Sequence, residues 1–338
     1  MEGRKLQLAG KSTFLVSLPK RWVMGSGLKA GDTLFVETEA DGSVSIRSRE
    51  SDRPAVRRKI FLEKGEETRE HLLRKLVGAY ISGFGLIEVR FALDRSPFVR
   101  RVTREFCHLV IGPEVIEETR NSIVIQDLSD PTELSSEKCL RRMHLTVRTM
   151  LEDALLSLKN GDEGLARDVE LRGQDVNRLY WMISKQYHLA HAPAPSAADR
   201  TSAATLHGHR LIARLIERIG EHAQRIAGTF PVIGRGKNPD VKLMRDLEDA
   251  RTSALALLDH AFHALVTRDI EEANRAIDSR AEHQKLIDSL SHRVVTRRGE
   301  DLLSLGTVVD SLGRAGVYAS EIAEQAIDLA VLMNPEPS

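Results

Sequence analysis

The chain has 338 residues, 41% of them hydrophobic and 29% charged, and its 49 Lys and Arg balance 49 Asp and Glu. That is enough for two or three domains with cores, and zero net charge excludes a global field drawing it to nucleic acid, so any basic face is local. Only Cys107 and Cys139 occur, with no Cys-x-x-Cys spacing. A disulfide framework and a zinc knuckle are therefore unsupported, and a reducing cytoplasm is expected. The N-terminus lacks the apolar core of a signal peptide. No apolar run approaches the ~20 residues of a bilayer span, so no membrane insertion is expected.

The first fifty residues read as a compact β unit. Thr13-Phe14-Leu15-Val16-Ser17-Leu18 alternates as a strand, and Pro19 opens a short basic turn, Lys20-Arg21-Trp22. Gly27-Leu28-Lys29-Ala30-Gly31-Asp32 then turns the chain into the strand Thr33–Glu39. Asp41-Gly42 predicts a type I′ hairpin to Ser43–Arg47, since both residues tolerate positive φ. A few short strands and one helical turn are too little chain to bury a core alone, so the unit needs a partner. Basic residues outnumber acids over the first sixty positions.

The stretch from Arg4 to Arg47, through Ser17-Leu18-Pro19-Lys20, Gly27–Asp32 and the closing hairpin, resembles the AbrB/SpoVT swapped-hairpin DNA-binding family. The resemblance implies an interlaced homodimer whose N-terminal strands and loops contact DNA. Arg4, Lys5, Lys11, Lys20 and Arg21 are the candidate phosphate or groove contacts, with Ser12 and Thr13 as short hydrogen-bonding partners. Leu15, Leu18, Trp22, Val36 and Ile46 are expected in the core.

Ser48 to Pro54 reads as a linker. Strands are predicted at Lys59–Glu63, Leu86–Phe91 and Ile123–Asp127, with helices over Glu66–Ser82 and from the capping pair Ser96-Pro97. Residues 55–130 thus form a β-α-β-α-β module, a small mixed sheet with helices on one face.

Six long helices follow, over about 135–160, 163–190, 199–228, 240–267, 270–297 and 300–333. Arg218-Ile219-Gly220-Glu221-His222-Ala223-Gln224-Arg225-Ile226-Ala227 aligns with Arg314-Ala315-Gly316-Val317-Tyr318-Ala319-Ser320-Glu321-Ile322-Ala323. Arginine, glycine, alanine and the closing Ile-Ala coincide, which predicts two tandem three-helix bundles, about 135–228 and 240–333. Leu215 to Ala227, and Asp175-Val176-Asn177-Arg178-Leu179-Tyr180-Trp181, are similar to signatures of the PhoU family of phosphate-uptake regulators. The fold class expected is multidomain α+β, mostly α: a swapped-hairpin head (1–50), a linking α/β module (55–130) and a PhoU-like body (135–333). An AbrB-like head on a PhoU-like body resembles an archaeal arrangement.

PhoU-like proteins bind metal through acids four apart on the third helix of each repeat, because residues at i and i+4 share a face. Glu217 and Glu221 keep that spacing, with Glu170 nearby on the second helix, but the matching positions of the second repeat are Gly313 and Val317. The metal motif is degraded, leaving at most a single divalent or ferric ion. His207 and His209 point about 200° apart on one helix and cannot chelate together. They and His260/His263 are read as solvated or capping groups. No phosphate-cradling loop, nucleophile elbow or HExxH occurs, so no enzyme is expected.

The leading expectation is a dimeric DNA-binding transcriptional or signalling regulator of phosphate uptake and homeostasis, with the body as sensor or relay. The alternative is a non-DNA-binding adaptor that contacts a phosphate transporter component, a kinase or another signalling protein, its head serving for dimerisation alone. An antitoxin role is disfavoured because a large folded body follows the head.

Overall fold

The computed structural model describes residues 3–10, 13–25, 27–38, 44–47, 57–129, 134–190, 197–234 and 240–333. The chain divides near Val56 into two compact units.

In the first unit, β1 (Gln7–Ala9) pairs antiparallel with β2 (Thr13–Leu15), and β3 (Phe35–Thr38) with β4 (Val44–Arg47). Between them lies α1 (Lys20–Gly25), opened by the Trp22 N–H donating to the Pro19 carbonyl at 3.0 Å. The predicted Asp41-Gly42 turn and the linker over residues 48–54 lie outside the described residues. The expected core requires correction. Leu15 is 51% exposed and Val36 66%, while Leu18, Trp22 and Ile46 are only partly covered. Among the described residues, the two separate two-stranded hairpins have no second layer to close over these side chains.

The second unit begins with a four-stranded mixed sheet of order β5-β6-β8-β7. Its strands are β5 (Arg58–Leu62), β6 (Leu86–Arg90), β7 (Pro113–Glu118) and β8 (Ser122–Asp127). β5 runs parallel to β6, and the other pairs are antiparallel. The crossover helix α2 (Arg69–Ile81) is capped by the Thr68 hydroxyl, which accepts from the His71 N–H at 3.2 Å. A 3₁₀ turn, Leu93–Arg95, leads into α3 (Ser96–Leu109), where Ser96 is the first helical residue rather than the cap. β7 was not anticipated, so the module is β-α-β-α-β-β. Its three glutamates hide the strand pattern because it is an edge whose outer side faces water. Leu72, Leu76, Tyr80, Val89, Val99, Phe106 and Ile123 form the centre of a separate core.

The helical body comprises α4 (Ser136–Asn160), α5 (Glu163–Ala190), α6 (Ala197–Gly228), the short α7 (Phe230–Ile233), α8 (Val241–Thr267), α9 (Ile270–Val294) and α10 (Glu300–Met333). The duplication is visible in the turns. α4 ends on Gly161 in the left-handed region (φ 68°) and Asp162 then caps α5, accepting from the Leu165 N–H at 3.0 Å. α8 ends likewise on Arg268 (φ 58°) and Asp269 caps α9, accepting from the Glu272 N–H at 3.0 Å. The glycines aligned between the repeats mark close helix approach. A Cβ on Gly220 would meet Val147 at 3.3 Å, and one on Gly316 would lie 2.3 Å from the His283 ring. One continuous core, including Met143, Leu151, Ile219, Leu258, Leu312 and Ile322, runs through both repeats.

Body and α/β module are joined by polar as well as apolar contacts. Trp181 on α5 packs against the module core, and the Tyr80 hydroxyl of α2 lies 3.8 Å from the Met182 Sδ on α5. Lys185, 4% exposed, ion-pairs with Asp127 and donates to the Ser129 hydroxyl at 2.8 Å.

Candidate functional site

The residues singled out on the third helix of the first repeat share one face of α6. Glu217 is buried, and the Arg214 guanidinium donates to its Oε2 at 2.7 Å. Burial pushes the Glu217 carboxyl up to about 7, the negative charge of Glu221 adds to that, and Arg214 and Arg218 oppose it. Arg218 lies 3.6 Å from Glu221. Below them Gln224 fills the notch left by Gly173 and donates to the Glu170 carbonyl at 2.8 Å. Glu170, Arg214, Arg218, Glu221, Gln224 and Arg225 together line an open groove between α5 and α6. Arg214 also lies over the Tyr180 ring (5.5 Å), and Arg210, one turn earlier, over Tyr187 (5.1 Å).

The Glu217–Glu221 pair thus faces guanidinium groups, and Glu170 enters the groove as an exposed residue whose backbone is the hydrogen-bonding partner. Among the described residues no three His, Cys, Asp or Glu converge as metal ligands. In the second repeat Gly313 approaches Ile287, with 3.2 Å left for a Cβ, so packing occupies the place of Glu217.

The histidines are not solvated as a class. His209 is buried, its Nδ1 2.8 Å from the Ser136 hydroxyl, and burial lowers its pKa. His222 sits between the repeats, with Nδ1 3.2 Å from the Ser311 hydroxyl, and burial with nearby Arg225 keeps it below the usual imidazole range. His283 bridges the Ser253 hydroxyl (3.1 Å) and the Leu312 carbonyl (3.1 Å), and it too is lowered by burial. Sequence spacing hid these roles, because each partner lies at least 29 residues away. His260 does behave as a surface group, 2.5 Å from Glu272.

In the head, Arg4, Lys5, Thr13, Lys20 and Arg21 are all exposed, whereas Lys11 and Ser12 lie outside the described residues. Leu6, Leu8, Phe14 and Val36 are exposed beside them, each above 60%.

Comparison with known proteins bears on the body. Residues 140–229 match the PhoU domain family. That segment holds most of α4, all of α5 and the groove-lining face of α6. The fold extends further than the sequence match. A crystal structure of PhoU from Pseudomonas aeruginosa superposes with a TM-score of 0.52 at 20% identity, covering 57% of this chain and 94% of that one. PhoU from Streptococcus pneumoniae, a phosphate transport system regulatory protein, superposes at 0.50 with 16% identity, covering 60% and 94%. No curated protein matches the sequence. The body therefore has the fold of these PhoU structures, with the match to the PhoU domain family falling in its first repeat. No described helix is long and apolar enough to cross a membrane.

Proposed function

We propose that this chain is a PhoU-type adaptor in cytoplasmic phosphate homeostasis, a regulator rather than an enzyme. Its helical body would engage a phosphate-transport component or a signalling protein, and its head would join two copies. The PhoU domain match across α4–α6 carries this reading. The α5/α6 groove supports it, because alternating guanidinium and carboxylate groups on one face suit a protein partner better than a metal cluster or a polyanion. A single metal ion at Glu170, Glu217 and Glu221 is the less favoured use of that face, since Arg214 and Arg218 already supply the opposing charge. The test is phosphate uptake in cells lacking the chain and in cells complemented with Arg214→Glu plus Arg218→Glu. The adaptor reading predicts that uptake stops responding to phosphate supply in both. A normal response in the variant would remove the groove from the account.

Transcriptional regulation by a DNA-binding head is the second reading, favoured by the exposure of Lys20 and Arg21 on α1 beside Arg4, Lys5 and Thr13. Phosphate contacts would make DNA retention fall steeply with salt. If Lys20→Glu with Arg21→Glu leaves both retention and its salt dependence unchanged, those contacts are wrongly assigned.

A further inference from the structure

We propose that the helical body contains a binding site for a small carboxylate with a short apolar tail. The site is a cavity of about 130 Å³ between the start of α4, the middle of α6 and the C-terminal ends of α8 and α10. An apolar cavity of about 150 Å³ is large enough to admit benzene, so the space suits a body of a few carbon atoms.

Its walls and rim differ in chemistry. Leu140, Phe262, Leu265 and Leu329 make the apolar lining, while Glu137, Arg141, His209 and Arg268 stand at the polar side. The lining is pre-set. Phe262 stacks on His144 (centroids 4.2 Å apart, interplanar angle 2°), and His144 Nε2 is held 2.9 Å from Asp259. Leu329 fits against Gly208, where a Cβ would approach to 2.7 Å. His209 spends its Nδ1 on Ser136, and its Nε2 has no hydrogen-bonding partner among the described residues.

Arg268 supplies the second observation. It is the non-glycine residue with positive φ among the described residues, at the turn where the first repeat has Gly161. A side chain there is strained, and the strain places a guanidinium beside the cavity. Neither Arg141 nor Arg268 ion-pairs with a described carboxylate. Two guanidiniums against the single Glu137 leave the rim one positive charge in excess, which suits a monoanion. Phosphate, carrying roughly −1.5 to −2 at neutral pH, is over-charged for it and offers nothing to the apolar walls. Glu137 would also accept the ammonium of an apolar amino acid, which shares the same carboxylate and tail.

Calorimetric titration of the full chain with 4-methylpentanoate, leucine, acetate and inorganic phosphate tests the site. The expected result is saturable binding of 4-methylpentanoate or leucine at millimolar concentration or below. Affinity should fall by roughly threefold to fourfold for each methylene removed towards acetate, and phosphate should bind least. Leucine binding more tightly than 4-methylpentanoate would assign the ammonium to Glu137. Arg141→Ala with Arg268→Gly should lower affinity at least tenfold, and because glycine prefers the conformation at 268 the variant should remain folded. Absence of saturable binding by both tailed ligands, phosphate binding as tightly as they do, or unchanged affinity in the double variant would each overturn the proposal.

Discussion

Glu217 turns a buried feature of α6 into a measurable pH dependence. Its carboxyl is almost wholly inside the body and titrates near 7, against about 4.5 for the exposed group. A carboxyl whose pKa is raised on folding holds its proton more tightly in the native state. Its contribution is therefore complete below about pH 4.5 and is lost as pH rises through 7. At roughly 1.4 kcal/mol per pH unit, that interval corresponds to about 3 kcal/mol. Glu217→Gln keeps the shape and removes the titration. Urea unfolding of the two proteins between pH 4.5 and 8 should give curves that meet at the acid end and separate progressively above pH 5. Near pH 8 the variant should be more stable by up to about 3 kcal/mol, less whatever the Arg214 contact returns. The burial of His222 and His283 has the opposite sign, weakening the fold as pH falls below 6.5, but it is common to both proteins and cancels in the comparison. Parallel curves would refute the claim that Glu217 is held protonated by its surroundings. Zinc or ferric ion that stabilised the parent at pH 7.5 and not the variant would instead revive a metal role for Glu217, Glu221 and Glu170.

Three other substitutions probe the frame that carries the groove. Lys185→Met leaves Asp127 buried without its cation and should cost about 3–5 kcal/mol by chemical denaturation, with much of the loss recovered by adding Asp127→Asn. Gly316→Ala drives a methyl against the His283 ring and should cost about 1–3 kcal/mol. Gly78→Ala, inside α2 with nothing within 4 Å, should stabilise by about 0.5–1 kcal/mol, and a similar loss at both glycines would contradict the packing described.

The helical body was legible because local chemistry repeats there. Gly161-Asp162 and Arg268-Asp269 both end one helix and cap the next, and the Gly220/Gly316 alignment marks helix contacts that the structure bears out. β7 was not legible, since Glu114, Glu117 and Glu118 break the apolar alternation on an exposed edge. The head was legible in the pairing of β3 with β4 but not in its core: Leu15 and Val36 follow a buried pattern, yet nothing among the described residues buries them. On α6, the Glu217–Glu221 spacing could be read directly, whereas burial of Glu217 and its pairing with Arg214 depend on packing. The cavity beside Arg268 gave no signal, because its lining comes from segments as far apart as Glu137 and Met333.

The central claim is that the PhoU-like body acts through a protein partner and the head only joins two copies. Replacing residues 1–56 with an unrelated dimeric coiled coil tests it most directly, with phosphate uptake at high and low phosphate as the readout. The adaptor account predicts that the chimaera restores the phosphate response of a strain lacking the chain. Loss of that response, with the chimaera dimeric and folded, would contradict it and return the function to the basic residues of the head.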